Sequence, residues 1–75
     1  MPASSYNGTL RALRKKIHAR REALGLTQEE MAERLHITTR HYQKIEAGAL
    51  NITLRTLCKV ADALHVPPSE LINRG

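Results

Sequence analysis

Residues 27–48 read TQEEMAERLHITTRHYQKIEAG, and this stretch decides the fold. It divides into two short helices joined by a tight turn. Thr27-Gln28-Glu29-Glu30 fits a capping box: the Thr27 oxygen accepts from the Glu30 amide, and the Glu30 carboxylate reaches back to the Thr27 amide. Met31, Ala32 and Leu35 follow at helical spacing and give the first helix one narrow apolar face. His36-Ile37 breaks the pattern. Thr38 then caps a second helix, in which Tyr42 and Ile45 recur at i+4 and i+7 from it. Gly48 suits the helix end. Ala32 is small enough to let the second helix cross close to the first. The remaining face of that helix carries Thr39, Arg40, Gln43 and Lys44, side chains that hydrogen-bond to base edges or phosphates. Two helices crossing steeply, with such a face on the second, match the shape that enters a DNA major groove.

Upstream, the pattern is helical from Thr9. Leu10, Leu13, Ile17 and Leu24 lie on one side. Arg11, Arg14, Lys15, Lys16, Arg20 and Arg21 crowd the rest, with no acid before Glu22. Most of these cations read as a solvated face rather than a phosphate-facing patch. Gly25 ends the helix, and Leu26 is the apolar staple before the Thr27 cap. Residues 1–8 hold Pro, Ser, Asn and Gly with little apolar content and are expected to form a frayed arm. The expected organisation is thus an arm over 1–8 and one domain over 9–75, built on the motif at 27–48.

Downstream, a short loop covers Ala49 to Ile52. Thr53 caps a fourth helix, where Leu54, Leu57, Cys58, Ala61 and Leu64 form an amphipathic stripe. Pro67-Pro68 opens a last turn containing Leu71 and Ile72. No repeat, β-alternating run or glycine-rich phosphate loop is present. The expected fold is all-α: a compact five-helix bundle with a helix-turn-helix. Leu50, Ile52, Leu71 and Ile72 fall outside the main stripes and are available for an interface.

Seventy-five residues make one small domain, whose core is marginal on its own. Twelve Lys and Arg against seven Asp and Glu leave a net charge of +5, which favours a polyanionic partner. There is no Trp or Phe and only two Tyr, too few aromatic platforms for single-strand recognition. Cys58 is the only cysteine, so an internal disulfide is impossible and a reducing compartment is the simpler expectation. The first residues form no secretory signal, and no apolar run approaches a membrane span. A cytoplasmic location, in a bacterial or phage setting, is expected.

Several segments together resemble the phage-repressor (Cro/repressor-type, Xre-like) helix-turn-helix family. They are Gly25-Leu26-Thr27-Gln28-Glu29-Glu30, Ala32-Glu33-Arg34-Leu35, Lys44-Ile45-Glu46-Ala47-Gly48, Leu54-Arg55-Thr56-Leu57 and Ala61-Asp62-Ala63-Leu64. The resemblance spans about Leu13 to Leu71. It implies sequence-specific binding of double-stranded DNA, usually as a homodimer, for transcription control. The small size is similar to that of restriction–modification controller proteins, short phage repressors and some antitoxins. By resemblance, Thr38, Thr39, Arg40, Gln43 and Lys44 fall on base-reading and groove-edge positions. Gln28 falls on a phosphate-anchoring position at a helix N-terminus, and Asn51 in the loop along the DNA backbone. Arg21 and Glu46 fall where many members pair helix 1 with the end of helix 3. Three positions depart from the family pattern. His36 replaces the turn glycine, Tyr42 replaces a buried aliphatic residue, and Ile52 stands where the loop often has proline.

One helix of about ten residues reads too few base pairs to single out a site among the ~10⁶ or more competitors in a genome. A symmetric homodimer on an inverted repeat is therefore expected, through Leu50, Ile52, Leu71 and Ile72. No cofactor or small-molecule effector is expected. His18, His36, His41, His65 and Cys58 match no zinc spacing, and Ser4, Ser5 and Ser69 lack the company of a nucleophile. The rival to DNA binding is a protein-interaction module of the same fold. Acidic residues at positions 39, 40, 43 and 44 would favour that rival, and there are none.

Overall fold

In the computed structural model the chain forms α1 (Pro2–Ala23), α2 (Gln28–Leu35), α3 (Thr39–Ala47), α4 (Leu54–Ala63) and α5 (Pro68–Ile72). The structure describes the backbone of residues 2–48 and 52–72, and side chains from residue 8 onward. Among the described residues there is no strand.

Three threonines start helices in the same way. Thr27, Thr38 and Thr53 each sit in extended conformation before the first helical residue. Their hydroxyl oxygens accept from the amides of Glu30, His41 and Thr56 at 3.0, 3.0 and 3.1 Å. Each such cap is worth about 1 kcal/mol. At Thr27 the box closes, because Glu30 Oε1 accepts from the Thr27 amide at 2.8 Å. That bond holds the exposed Glu30 carboxyl below its ordinary range.

The helix ends share a second device. After α1, α2 and α4 a single left-handed residue turns the chain: Gly25 (φ 70°), His36 (φ 57°) and His65 (φ 59°). The following amide then reaches back five residues, Leu26 to Arg21 at 3.1 Å, Ile37 to Ala32 at 3.0 Å and Val66 to Ala61 at 3.1 Å. These are Schellman closures, which satisfy carbonyls that a helix end leaves unpaired. Gly48 (φ 75°) turns left-handed after α3.

The helices close on one core. Leu13 and Ile17 of α1, Met31 and Ala32 of α2, Tyr42 of α3, Leu57, Val60 and Ala61 of α4, Leu64 at its C-cap and Leu71 of α5 are buried against one another. Full burial of a side chain such as Ile17 or Met31 contributes about 1.5–3 kcal/mol. α2 packs on α3 and α4, and α1 packs on α3 and α5. The α2–α3 pair is therefore clamped between the first and fourth helices.

Three expectations are corrected. α1 starts at Pro2, not at Thr9, so residues 2–8 are helical; proline suits the first helical position. Leu54, placed in the core stripe, is 74% exposed, because it starts α4 between the exposed Thr53 and Arg55, and the helix meets the core only at Leu57. Leu71, placed in an interface, is only 2% exposed and belongs to the core of the protomer.

Candidate nucleic-acid interface

The site is built around how α3 is held. Tyr42 has no exposed surface, and its hydroxyl donates to Glu46 Oε2 at 2.5 Å. Arg21 grips the same carboxylate twice, Nε to Oε2 at 2.8 Å and Nη2 to Oε1 at 3.0 Å. Its third nitrogen, Nη1, donates to the Leu26 carbonyl at 2.7 Å. The two side chains keep 10% and 7% of their surface, so the pair is nearly dry. His18 Nδ1 lies 2.8 Å from Glu46 Oε1 and 3.2 Å from Arg21 Nη2. Its Nε2 faces Glu22 at 3.2 Å.

Burial alone would raise the Glu46 pKa. The hydrogen bonds from Arg21, then His18 and Tyr42, outweigh it and bring the group down to about 2. For Tyr42, burial and the neighbouring Glu46 push the phenol far above its ordinary range. The hydrogen bond to Glu46 raises Arg21 in turn, against the cost of burial. One charged carboxylate thus ties the C-terminal turn of α3 to α1 and to the loop before α2.

With the inner face fixed by Tyr42, Ile45 and Glu46, the outer face of α3 points to solvent. Arg40, Gln43 and Lys44 are exposed and Thr39 is half-buried. Thr38 is exposed but spends its oxygen on the His41 amide. Gln28 is tied in rather than free: its Nε2 donates to Glu46 Oε1 at 3.3 Å, and its Oε1 accepts from Gln43 Nε2 at 3.3 Å. The structure therefore brings Thr38, Thr39, Arg40, Gln43, Lys44 and Gln28 onto one surface. Asn51 and Leu50 lie outside the described residues. Ile52 is half-buried against the core, and Ile72 is 46% exposed.

A helix-turn-helix family model matches residues 17–71, which takes in all of α2, α3 and α4 and most of α5. The chain belongs to the phage-repressor-like helix-turn-helix family. It is 34% identical over 62 residues to the cryptic phage CTXphi transcriptional repressor RstR of Vibrio cholerae serotype O1 (strain ATCC 39315 / El Tor Inaba N16961). That alignment covers 83% of the chain but only 55% of the repressor. No solved structure matches the chain. The assignment is to a family of DNA-binding regulators, not of enzymes.

Membership in the helix-turn-helix family makes the three departures interpretable. His36 takes the left-handed conformation usually left to glycine. Tyr42 fills an aliphatic position and gives its hydroxyl a carboxylate partner. Ile52 adds apolar contact to the core. His41 was not among the expected site residues, yet it is exposed and shares a shallow depression with Thr38, Arg40 and Lys44. Its place one turn before Lys44 and Ile45 was the available signal.

The basic residues of α1 divide in a way that composition does not reveal. Arg14 Nη1 donates to the Ala47 carbonyl at 3.0 Å and Arg20 Nε to the Leu64 carbonyl at 3.0 Å. Arg34 of α2 reaches the Ala63 carbonyl at 3.2 Å. These cations cover the C-terminal ends of α3 and α4, where the helix dipole favours positive charge. Arg11 and Lys15 remain exposed.

Proposed function

We propose that the chain binds double-stranded DNA in a sequence-specific way and regulates transcription, with α3 in the major groove. The observation that supports this most directly is the pair Arg40 and Lys44. They stand one turn apart on the exposed face of α3, and neither has an ion-pair partner among the described residues. Guanine O6 and N7 are natural acceptors for both. The cluster behind them leaves α3 little freedom, so the reading face is presented preformed.

The functional unit in this reading is a homodimer on an inverted repeat. The chain spans 55% of the length of the curated repressor it matches. Dimerisation is argued from its own surface. Leu54 and Ile72 expose large apolar side chains at opposite ends of the α4–α5 segment, and Ile52 is half-buried. In this reading Gln28 and Asn51 act as phosphate anchors. Among the described residues no helix is long and apolar enough to cross a membrane, and DNA binding would place the chain in the cytoplasm.

Selection of bound duplexes from a random pool tests the reading. An enriched inverted repeat supports it. A chain that enriches no sequence, and shows no salt-dependent affinity for any duplex, acts instead as a protein-interaction module.

A further inference from the structure

Beside the α3 face, between the middle of α1 and the α2–α3 pair, lies an open cleft of about 410 Å³. Arg11, Arg14 and Lys15 line one wall; Gln28 and Gln43 line the other. Glu46 is the only acid in the lining, and Arg21, Tyr42, His18 and Gln28 already occupy its oxygens. The cleft therefore presents cations and amide groups with no available carboxylate to neutralise them.

Arg14 is imperfectly placed in the free protein. It threads over Gly48 so closely that a Cβ there would collide with its Cδ. Nη1 reaches the Ala47 carbonyl, but Nε is buried without an acceptor among the described residues. A buried donor left unpaired carries an uncompensated desolvation cost. A partner offering two adjacent oxygens would draw the guanidinium outward and satisfy Nε together with a second nitrogen, the bidentate geometry Arg makes with phosphate. The opposite wall is continuous with the reading face, because Gln43 and Gln28 are hydrogen-bonded to each other across it.

We propose that this cleft is a second anion site, taking a backbone phosphodiester of the bound duplex outside the base pairs that α3 reads. The proposal rests on the DNA-binding reading above. It assigns Arg11 and Lys15 to the phosphate directly and Arg14 to a bidentate grip. These contacts fix register and add affinity without reading sequence.

The test compares the wild-type chain with the double variant R11A/K15A on the selected operator and on a random duplex, over a salt series. Both residues are exposed, and the variant leaves the Arg14–Ala47 bond in place, so folding is checked by an unchanged urea midpoint. The slope of log affinity against log salt is expected to fall by about 0.9, the contribution of the one phosphate that the cleft no longer neutralises. Affinity for both duplexes should drop by the same factor, and the selected sequence should stay the same. Phosphate ethylation interference on the wild type should show sensitive positions outside the read base pairs, and the variant should lose them. An unchanged slope in a variant that still selects the operator overturns this proposal alone. A wild-type chain without salt-dependent duplex affinity overturns the DNA-binding reading and this proposal with it.

Discussion

Tyr42 and Glu46, one turn apart on α3, share a hydrogen bond in which a fully buried phenol donates to a carboxylate already gripped by Arg21. The tyrosine acts as a third donor that makes a buried charge tolerable. Removing Glu46 leaves Arg21 charged and dry beside the Leu26 carbonyl and the His18 ring, and Glu46→Gln should cost about 3–5 kcal/mol. Tyr42→Phe keeps the packing and removes one donor, for a smaller loss of about 1–2 kcal/mol. Urea unfolding measures both. A Glu46→Gln loss under about 1 kcal/mol would show that the pair behaves as a surface contact.

The same carboxylate sets an acid limit. Its pKa of about 2 in the folded chain lies below the ordinary 4.5, so the unfolded chain binds the proton more tightly. The stabilisation is whole above about pH 5 and drains as pH falls from there toward 2. A shift of this size corresponds to about 3 kcal/mol. The half-exposed His18 side of the cluster admits solvent, and screening there reduces the expected loss to roughly 1–2 kcal/mol. Thermal midpoints of the wild type should fall across that window, and those of Glu46→Gln should fall less. Parallel curves would place the acid sensitivity elsewhere.

His36 holds a left-handed backbone at the turn between α2 and α3. Left-handed geometry costs a residue with a Cβ about 1 kcal/mol or more, while glycine loses more entropy on folding. His36→Gly should therefore leave stability unchanged or raise it by up to about 1 kcal/mol. His36→Val, β-branched and poorly suited to positive φ, should lower it by more than about 1 kcal/mol. Equal stability of the two variants would show that the turn relaxes out of the left-handed region.

What was legible in the residues, and what was not, follows the range of the interactions. The caps at Thr27, Thr38 and Thr53 act over three residues, so their donors and acceptors stand side by side in the sequence. The Schellman turn at His65 is equally local, but neither glycine nor asparagine marks it. The arginine bonds to Ala47, Leu64 and Ala63 span 33, 44 and 29 residues. No local pattern announces them, and a solvated basic face was the natural expectation for cations that in fact cover helix ends. Leu54 fits the α4 stripe by periodicity, but α4 meets the core only from Leu57 onward.

Base reading should fall to the cations on the outer face of α3. Arg40→Ala or Lys44→Ala is expected to cost about 1–3 kcal/mol on the selected operator and to relax preference at one position. Gln28→Ala should weaken all duplexes by a similar factor, because Gln28 lies at the N-terminus of α2 rather than in the reading row. Pool selection repeated on each variant checks these roles. An unchanged preference in both cationic variants would move the reading to Thr39, His41 or Gln43.

Two apolar residues that lie side by side take separate parts in the predicted dimer. Leu71 is in the core and Ile72, its neighbour, is 46% exposed, as is Leu54 at 74% across the α4–α5 segment. Leu71→Ala should lower stability by about 2–5 kcal/mol, the usual range for emptying a core position. Leu54→Glu and Ile72→Glu should leave the monomer folded and move the sedimentation equilibrium toward it. Each should also reduce affinity for the full inverted repeat much more than for an isolated half-site, since two linked half-sites multiply their discrimination. If the wild type stays monomeric at high micromolar concentration and selects one asymmetric half-site, no dimer forms. If a dimer survives both charged substitutions, its contact lies on a surface other than the one marked by Leu54 and Ile72.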